Sequence, residues 1–208
     1  MTQFAPSRAC RSLSSGRHSG PLTGLLASTI LETETGWRAA ETIRAGDRVH
    51  TLDDGLRPVR RVDRNFYGGV FGKPVVEVIR VAGGVLNACS DLYVMPDQPL
   101  LIDHPAVDEV LALPSALVPA SVLSGFSGCG PMRSQTRFET VSIAFDEDEI
   151  IFAQSGVKVH CPAARAAEMA EDHYMSLSPD QAQALLELIE DEGLWSSWSY
   201  TSASLALD

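Results

Sequence analysis

Apolar and polar residues alternate along most of this chain in short runs, and turn residues interrupt each run. Residues 29–33 are β-branched and half polar, and Glu34, Thr35 and Gly36 then reverse the chain before Trp37. A turn at Ala45, Gly46 and Asp47 leads into a run in which Val49 and Thr51 alternate with His50 and Leu52. Asp53-Asp54-Gly55 is a strong hairpin signal, because glycine tolerates the positive φ that tight hairpin turns need. Residues 57–62 are expected to return as the partner strand, with Val59 and Val62 buried. Residues 65–73 read as a loop, pinned to the body by Phe66, Tyr67 and Phe71. Pro74 opens a β-branched strand over 75–81, and Gly83-Gly84 turns it. Apolar runs at 92–95 and 100–102 end at Pro96 and at Asp103-His104-Pro105, and 110–113 and 116–118 read as two more short pieces. Residues 124–134 hold three glycines and a proline, which fits an exposed loop. Two strands, 140–145 and 150–153, flank a solvated acidic turn at 146–149, and 156–160 gives one further strand. Many short strands with frequent turns predict an all-β domain.

The tail changes period. Ser178, Pro179 and Gln181 form a helix start: an N-cap serine, a proline at the first helical position and a glutamine in capping-box spacing. Ala182, Leu185, Leu186 and Ile189 then lie three and four apart, one apolar stripe of a helix that Gly193 ends. Residues 163–172 also favour helix. The stripe is narrow, and the helix is expected to dock on its own β body, because an amphipathic helix usually buries its face in its own domain; the alternative is that it is offered to a protein partner. The organisation read from this is a leader over 1–21, a β domain over 22–162, a helical tail over 163–195 and a loose C-terminus over 196–208. The leader is rich in Ser, Arg and Gly without periodicity, which reads as disorder.

Composition narrows the function classes. A hydrophobic share of 45% and a charged share of 21% over 208 residues suit a globular domain with a real core. A formal net charge of −11 argues against nucleic acid, because a phosphate-binding surface needs clustered Lys and Arg. Residues 1–31 depart from that balance, with Arg8, Arg11 and Arg17 and no acid. Cys10, Cys89, Cys129 and Cys161 form no Cys-x-x-Cys pair, so no zinc or redox site is expected, and reduced thiols in the cytoplasm are the plain reading. No run approaches the roughly 18–20 apolar residues of a membrane span. Leu22 to Leu31 follows Arg17 but is broken by Thr23, Gly24, Ser28 and Thr29 and lacks a small-residue cleavage site before Glu32, so no signal peptide is expected.

The order "small-Thr, strand, Gly-Trp, strand, Ile-x-x-Gly-Asp-x-Val-x-Thr, turn, Pro-Val-x-x-Val" over 25–62 resembles the N-terminal half of a Hint (hedgehog/intein) domain. It is similar, more narrowly, to the short bacterial Hint-like proteins of that superfamily. Residues 91–102 resemble the family's central block, and 117–123 and 139–152 its later segments, in the family's order. The resemblance spans roughly 23–162 and implies the all-β Hint fold.

It also implies a chemistry. Hint domains process themselves: a Cys, Ser or Thr at the domain start attacks the preceding carbonyl, aided by a base and by stabilisation of the tetrahedral oxygen. Counting back from Ser28-Thr29, the nucleophile position falls at Gly24, which has no side chain to attack with. The family's Thr-x-x-His reads Met95-Pro96-Asp97-Gln98 here. Met95 is no strong hydrogen-bond donor, and Gln98 is no base near neutral pH. The expectation is therefore a fold kept without its reaction, a structural or binding module with no cofactor. The alternative is residual self-cleavage through a hydroxyl at Thr23 or Ser28. His160-Cys161 stands where an intein ends, but without the asparagine that cyclises. Asp97 with His104 or His50 offers a general-base or metal pair whose spacing nothing fixes. The acidic run 146–149 lacks the alternating ligands, central glycine and final glutamate of a calcium loop.

Overall fold

The computed structural model describes residues 21–68, 76–134, 136–164 and 174–191. The expected leader (Pro21 excepted), Phe71, Gly193, the C-terminal 196–208 and most of the helix-favouring stretch 163–172 lie outside the described residues. Fourteen strands and two α-helices follow in order. The first six strands are β1 (Leu25–Leu26), β2 (Ile30–Thr33), β3 (Gly36–Ala39), β4 (Arg48–Thr51), β5 (Gly55–Pro58) and β6 (Arg61–Tyr67). Next come β7 (Glu77–Val81), β8 (Leu92–Val94), β9 (Pro99–Ile102), α1 (Pro105–Leu111) and β10 (Ala116–Pro119). The chain closes with β11 (Gly130–Arg133), β12 (Phe138–Ala144), β13 (Glu149–Ala153), β14 (Val157–Cys161) and α2 (Pro179–Asp191).

The strands build two antiparallel sheets. One runs β11-β7-β8-β1-β12-β6, and the other β10-β9-β14-β13-β2-β4-β5 with β3 paired to β2. Hairpins form where the turn residues demand them: Thr33 lies opposite Gly36, and Thr51 opposite Gly55, whose φ is +66°. The alternation seen in the sequence is the burial pattern, with Val49 and Thr51 inside and His50 half-buried between them. The main core joins both sheets through Leu31, Val49, Leu92, Leu100, Ile102, Phe145 and Ile151.

The capping box at α2 is present on both sides: Gln181 N donates to Ser178 Oγ (3.3 Å), and Ser178 N donates to Gln181 Oε1 (3.0 Å). Ala182, Leu185, Leu186 and Ile189 are all buried in the main core, so the helix docks on the β body as its stripe implies. Just before it, Leu117 N donates to Met175 O and Leu177 N to Leu117 O, which covers the open edge of β10.

Several expectations fail, each for a physical reason. Residues 57–62 are not one strand: β5 ends at Pro58, Val59 is buried between strands, and Val62 is only half-buried on β6. The loop expected from Asn65 starts later, because β6 pairs with β12 as far as Tyr67. Tyr67 does pin the chain, stacked on Phe138 at 5.7 Å, whereas Phe66 is exposed under the Arg137 guanidinium. Of the strand expected over 75–81, Glu77–Val81 forms β7, while Pro74 and Val75 lie outside the described residues. The glycine-rich stretch 124–134 contains β11, an edge strand on β7, where Pro131 is tolerated because no second neighbour needs its missing N–H. Residues 110–113 are no strand either. Val110 and Leu111 end α1, which begins with Pro105 at its first turn and with His104 Nδ1 accepting from Ala106 N (3.2 Å).

The acidic turn is also not simply solvated. Glu149 is 2% exposed and accepts from Arg57 Nε at 3.0 Å. Burial raises its carboxyl above the ordinary range, against the pull of Thr51 and Arg57 in the other direction. Among the described residues no helix is long and apolar enough to cross a membrane.

Candidate functional site

The site begins at a turn. Pro96 ends the run of β8, and Gln98 N donates to Met95 O (3.0 Å), closing Met95-Pro96-Asp97-Gln98 as a β-turn with proline at its second position. The incoming chain is stitched along this turn. Met95 N donates to Gly24 O (2.9 Å), Asp97 N to Leu22 O (3.0 Å), and Leu22 N to Asp97 Oδ2 (2.7 Å). Pairing of β1 with β8 and β12 continues the same contact. Gln98 then leads into β9, which pairs with β14 through Leu100 and Val159.

The Gln98 carboxamide ties three segments together. Its Oε1 accepts from the buried Gly24 N–H at 2.9 Å, and its Nε2 donates to His160 O at 2.8 Å and Pro99 O at 3.3 Å. Gly24 itself has φ +131°, a conformation that side-chain-bearing residues rarely adopt. A Cβ placed there would stand 3.0 Å from Ser142 Oγ and 3.4 Å from Thr140 Cβ. A side chain at position 24 would thus be strained in its backbone and crowded from the side.

A cavity of about 280 Å³ opens beside this bridge. Pro21, Leu25, Pro99, Val141, Ile143, Val159, Cys161 and Pro162 give it apolar walls, and Thr23, Gln98, Ser142 and His160 give it polar ones. Of the residues singled out by sequence, the structure brings Thr23, Gln98, His160 and Cys161 onto one cavity, with Gly24 held at its edge by Gln98. Met95 is fully buried in a separate cluster with Tyr67 and Val78. Ser28 stands exposed in the turn between β1 and β2, outside the cavity. Asp97 binds the Leu22 N–H and His104 caps α1, so each serves a different backbone amide. His50 sits on β4, opposite Leu56. Among the described residues no three His, Cys, Asp or Glu side chains converge as metal ligands.

Sequence reasoning missed Ser142. Its Oγ lies 3.4 Å from Thr23 O, and its strand reaches the site across 119 residues of chain. No local pattern marks such a residue.

Burial pushes the Cys161 thiol well above its ordinary pKa, and the nearby Glu149 carboxylate pushes it further. The thiol therefore stays protonated, and a thiol is a far weaker nucleophile than a thiolate. His160 Nε2 is 3.8 Å from Asp148 Oδ1, beyond hydrogen-bond range.

This arrangement predicts alkaline sensitivity. A thiol whose folded pKa lies above its unfolded value stabilises fully below the unfolded pKa, about 8.5. That stability is lost as pH rises towards the folded value. Wild-type urea midpoints should fall between about pH 7.5 and 9.5, and Cys161→Ala should fall less over the same window. Parallel curves for the two proteins would show that Cys161 is not held neutral by the fold. Cys129, also raised by burial, keeps some slope in the variant.

A family model described as a Hint domain matches residues 23–159. No match is found among curated proteins. Among solved structures, the chain is similar to a bacterial intein-like domain from Clostridium thermocellum, at 14% identity over 67% of this chain and 99% of that one, with a TM-score of 0.45. A splice-inactive variant of the AceL NrdHF class 3 split intein matches at 12% identity, 68% and 99% coverage and a TM-score of 0.44. The gp41-1 intein matches at 11% identity, 65% and 97% coverage and a TM-score of 0.40.

Proposed function

We propose, on the premise that this chain belongs to the Hint-domain family, that it keeps the family's framework without self-processing and serves as a structural or binding module. The Gln98 bridge carries this reading. Where the family's reaction needs a base beside the first residue, this chain places a carboxamide with both ends engaged, and a carboxamide accepts no proton near neutral pH. Gly24 points the same way, since its φ and the closeness of Ser142 disfavour any side chain there. The C-terminal helix has already spent its apolar stripe on the core. What it offers a partner is the polar face of Gln181, Gln183, Glu187 and Glu190.

The rival reading, residual self-cleavage, rests on Thr23, which lines the cavity. An unactivated hydroxyl is a poor nucleophile; the thiol and carboxamide beside it are not bases, which leaves the His160 imidazole on the same cavity as the group that would have to activate it. Ser28 has less to favour it, being exposed and outside the cavity.

Intact mass spectrometry of the purified 22.4 kDa chain separates the two. The full-length mass is expected to persist for days, with or without added thiol or hydroxylamine. Loss of roughly the first twenty residues, faster with hydroxylamine and abolished by Thr23→Ala or Ser28→Ala, would establish the rival instead.

A further inference from the structure

We propose that the cavity beside Gly24 is a binding pocket for a small, neutral, mainly apolar molecule carrying one hydrogen-bond acceptor. The proposal rests on the non-processing reading and names what the unused site takes up. Charge is the first argument. The chain has a formal net charge of −11, yet the described residues lining this cavity include no Asp, Glu, Lys or Arg, and the His160 imidazole and Cys161 thiol are their only titratable side chains. The larger open basin on the surface is the opposite case, lined by Arg38, Arg44 and Arg64 with Glu41, Asp47 and Glu139. A carboxylate or ammonium entering a cavity without Asp, Glu, Lys or Arg would lose its hydration without meeting a permanent partner charge, and the His160 imidazole already has Asp148 3.8 Å away.

Size and shape are the second argument. At about 280 Å³ the cavity lies near the lower end of ligand pockets and well above apolar cavities of ~150 Å³ that already admit benzene. Its walls come from both sheets and from the Leu22–Gly24 segment that the Gln98 bridge fixes, so the pocket is preformed. The third argument is Ser142. Its hydroxyl reaches Thr23 O at 3.4 Å, long for an O–H···O bond, so a better-placed acceptor on a ligand can take that proton. Cys161, kept as a neutral thiol, adds a soft apolar wall rather than a charge.

The test is methyl and amide NMR of the full-length protein titrated with benzyl alcohol, benzoate and benzylamine as probes. Benzyl alcohol is expected to give saturable shifts at Leu25, Val141, Ile143 and Val159, and the two ions to bind at least roughly ten-fold more weakly. Ser142→Ala should weaken benzyl alcohol about five-fold, as loss of one net hydrogen bond implies, and Val159→Phe should abolish its binding. No saturable shift in the millimolar range, equal binding of benzoate, or shifts lying away from the cavity would each overturn the proposal. So would nuclear Overhauser contacts from residues 1–20 to these methyls in the probe-free protein, which would seat the chain's own upstream segment there. Intact mass of the same samples keeps the outcomes apart: a shortened chain refutes the non-processing reading, whereas an intact chain that binds no probe refutes only the pocket.

Discussion

Gly156→Ala is expected to lower unfolding stability by about 4 kcal/mol, at the severe end of single substitutions. A Cβ on Gly156 would stand 2.0 Å from Asn87 O and 2.7 Å from Asn87 C. Those are backbone atoms, so no rotamer change relieves the clash. The facing bend has little room to retreat, because Leu86 and Asn87 already sit at φ 51° and 61°. The hairpin is held on its own side as well: Gln154 N donates to Ile30 O, and Cys89 N donates to Gln154 O, at 2.9 and 3.0 Å. Gly156 closes the turn between β13 and β14, and β14 delivers His160 and Cys161 to the cavity. The clash therefore reaches the site as well as the core. Urea denaturation of the variant gives the answer, and a loss under about 1 kcal/mol would show that hairpin and bend separate easily.

Gln98→Leu is expected to cost about 3 kcal/mol, and for a different reason. Leucine fits an apolar site by size, but it strands the Gly24 N–H and the His160 carbonyl without their partner. Each buried polar group left unpaired costs about 1–3 kcal/mol. The loss should be local before it is global: hydrogen exchange at the Gly24 amide should speed up more than exchange in β13. Gln98→Glu keeps an acceptor for Gly24 but sets a buried carboxylate against the Pro99 and His160 carbonyls, so near neutral pH it should be no more stable than Gln98→Leu. A Gln98→Leu variant as stable as wild type, with Gly24 exchange unchanged, would remove the bridge from its place in the site.

Much of the fold was legible in the sequence, and the misses share a cause. The hairpins at 33–36 and 51–55 and the start of α2 are written in contiguous residues: Gly36, Gly55, Ser178, Pro179 and Gln181 each act within three or four positions. β11 was not legible, since Gly130 and Pro131 read as loop, and only the free edge of β7 makes a strand of them. α1 had one local sign, His104 before Pro105, set against β-favouring residues in a short helix. Glu149 looked like one more solvated acid, and its burial depends on Arg57, 92 residues away.

The same division holds for the site. The sequence alone determined the all-β framework, the resemblance that carries it, and the residue types at positions 24 and 98, a glycine and an amide. Periodicity and turn chemistry are set by backbone geometry over a few residues, so they survive in a linear reading. Tertiary structure alone decided that Gln98 joins Gly24 to His160, across 74 and 62 residues. It also decided that Ser142 crowds Gly24, that Met95, Asp97 and His104 have other work, and that a neutral cavity lies beside them. Those contacts are made by segments far apart in the chain, and their hydrogen bonds and burial exist only once two sheets have packed against each other.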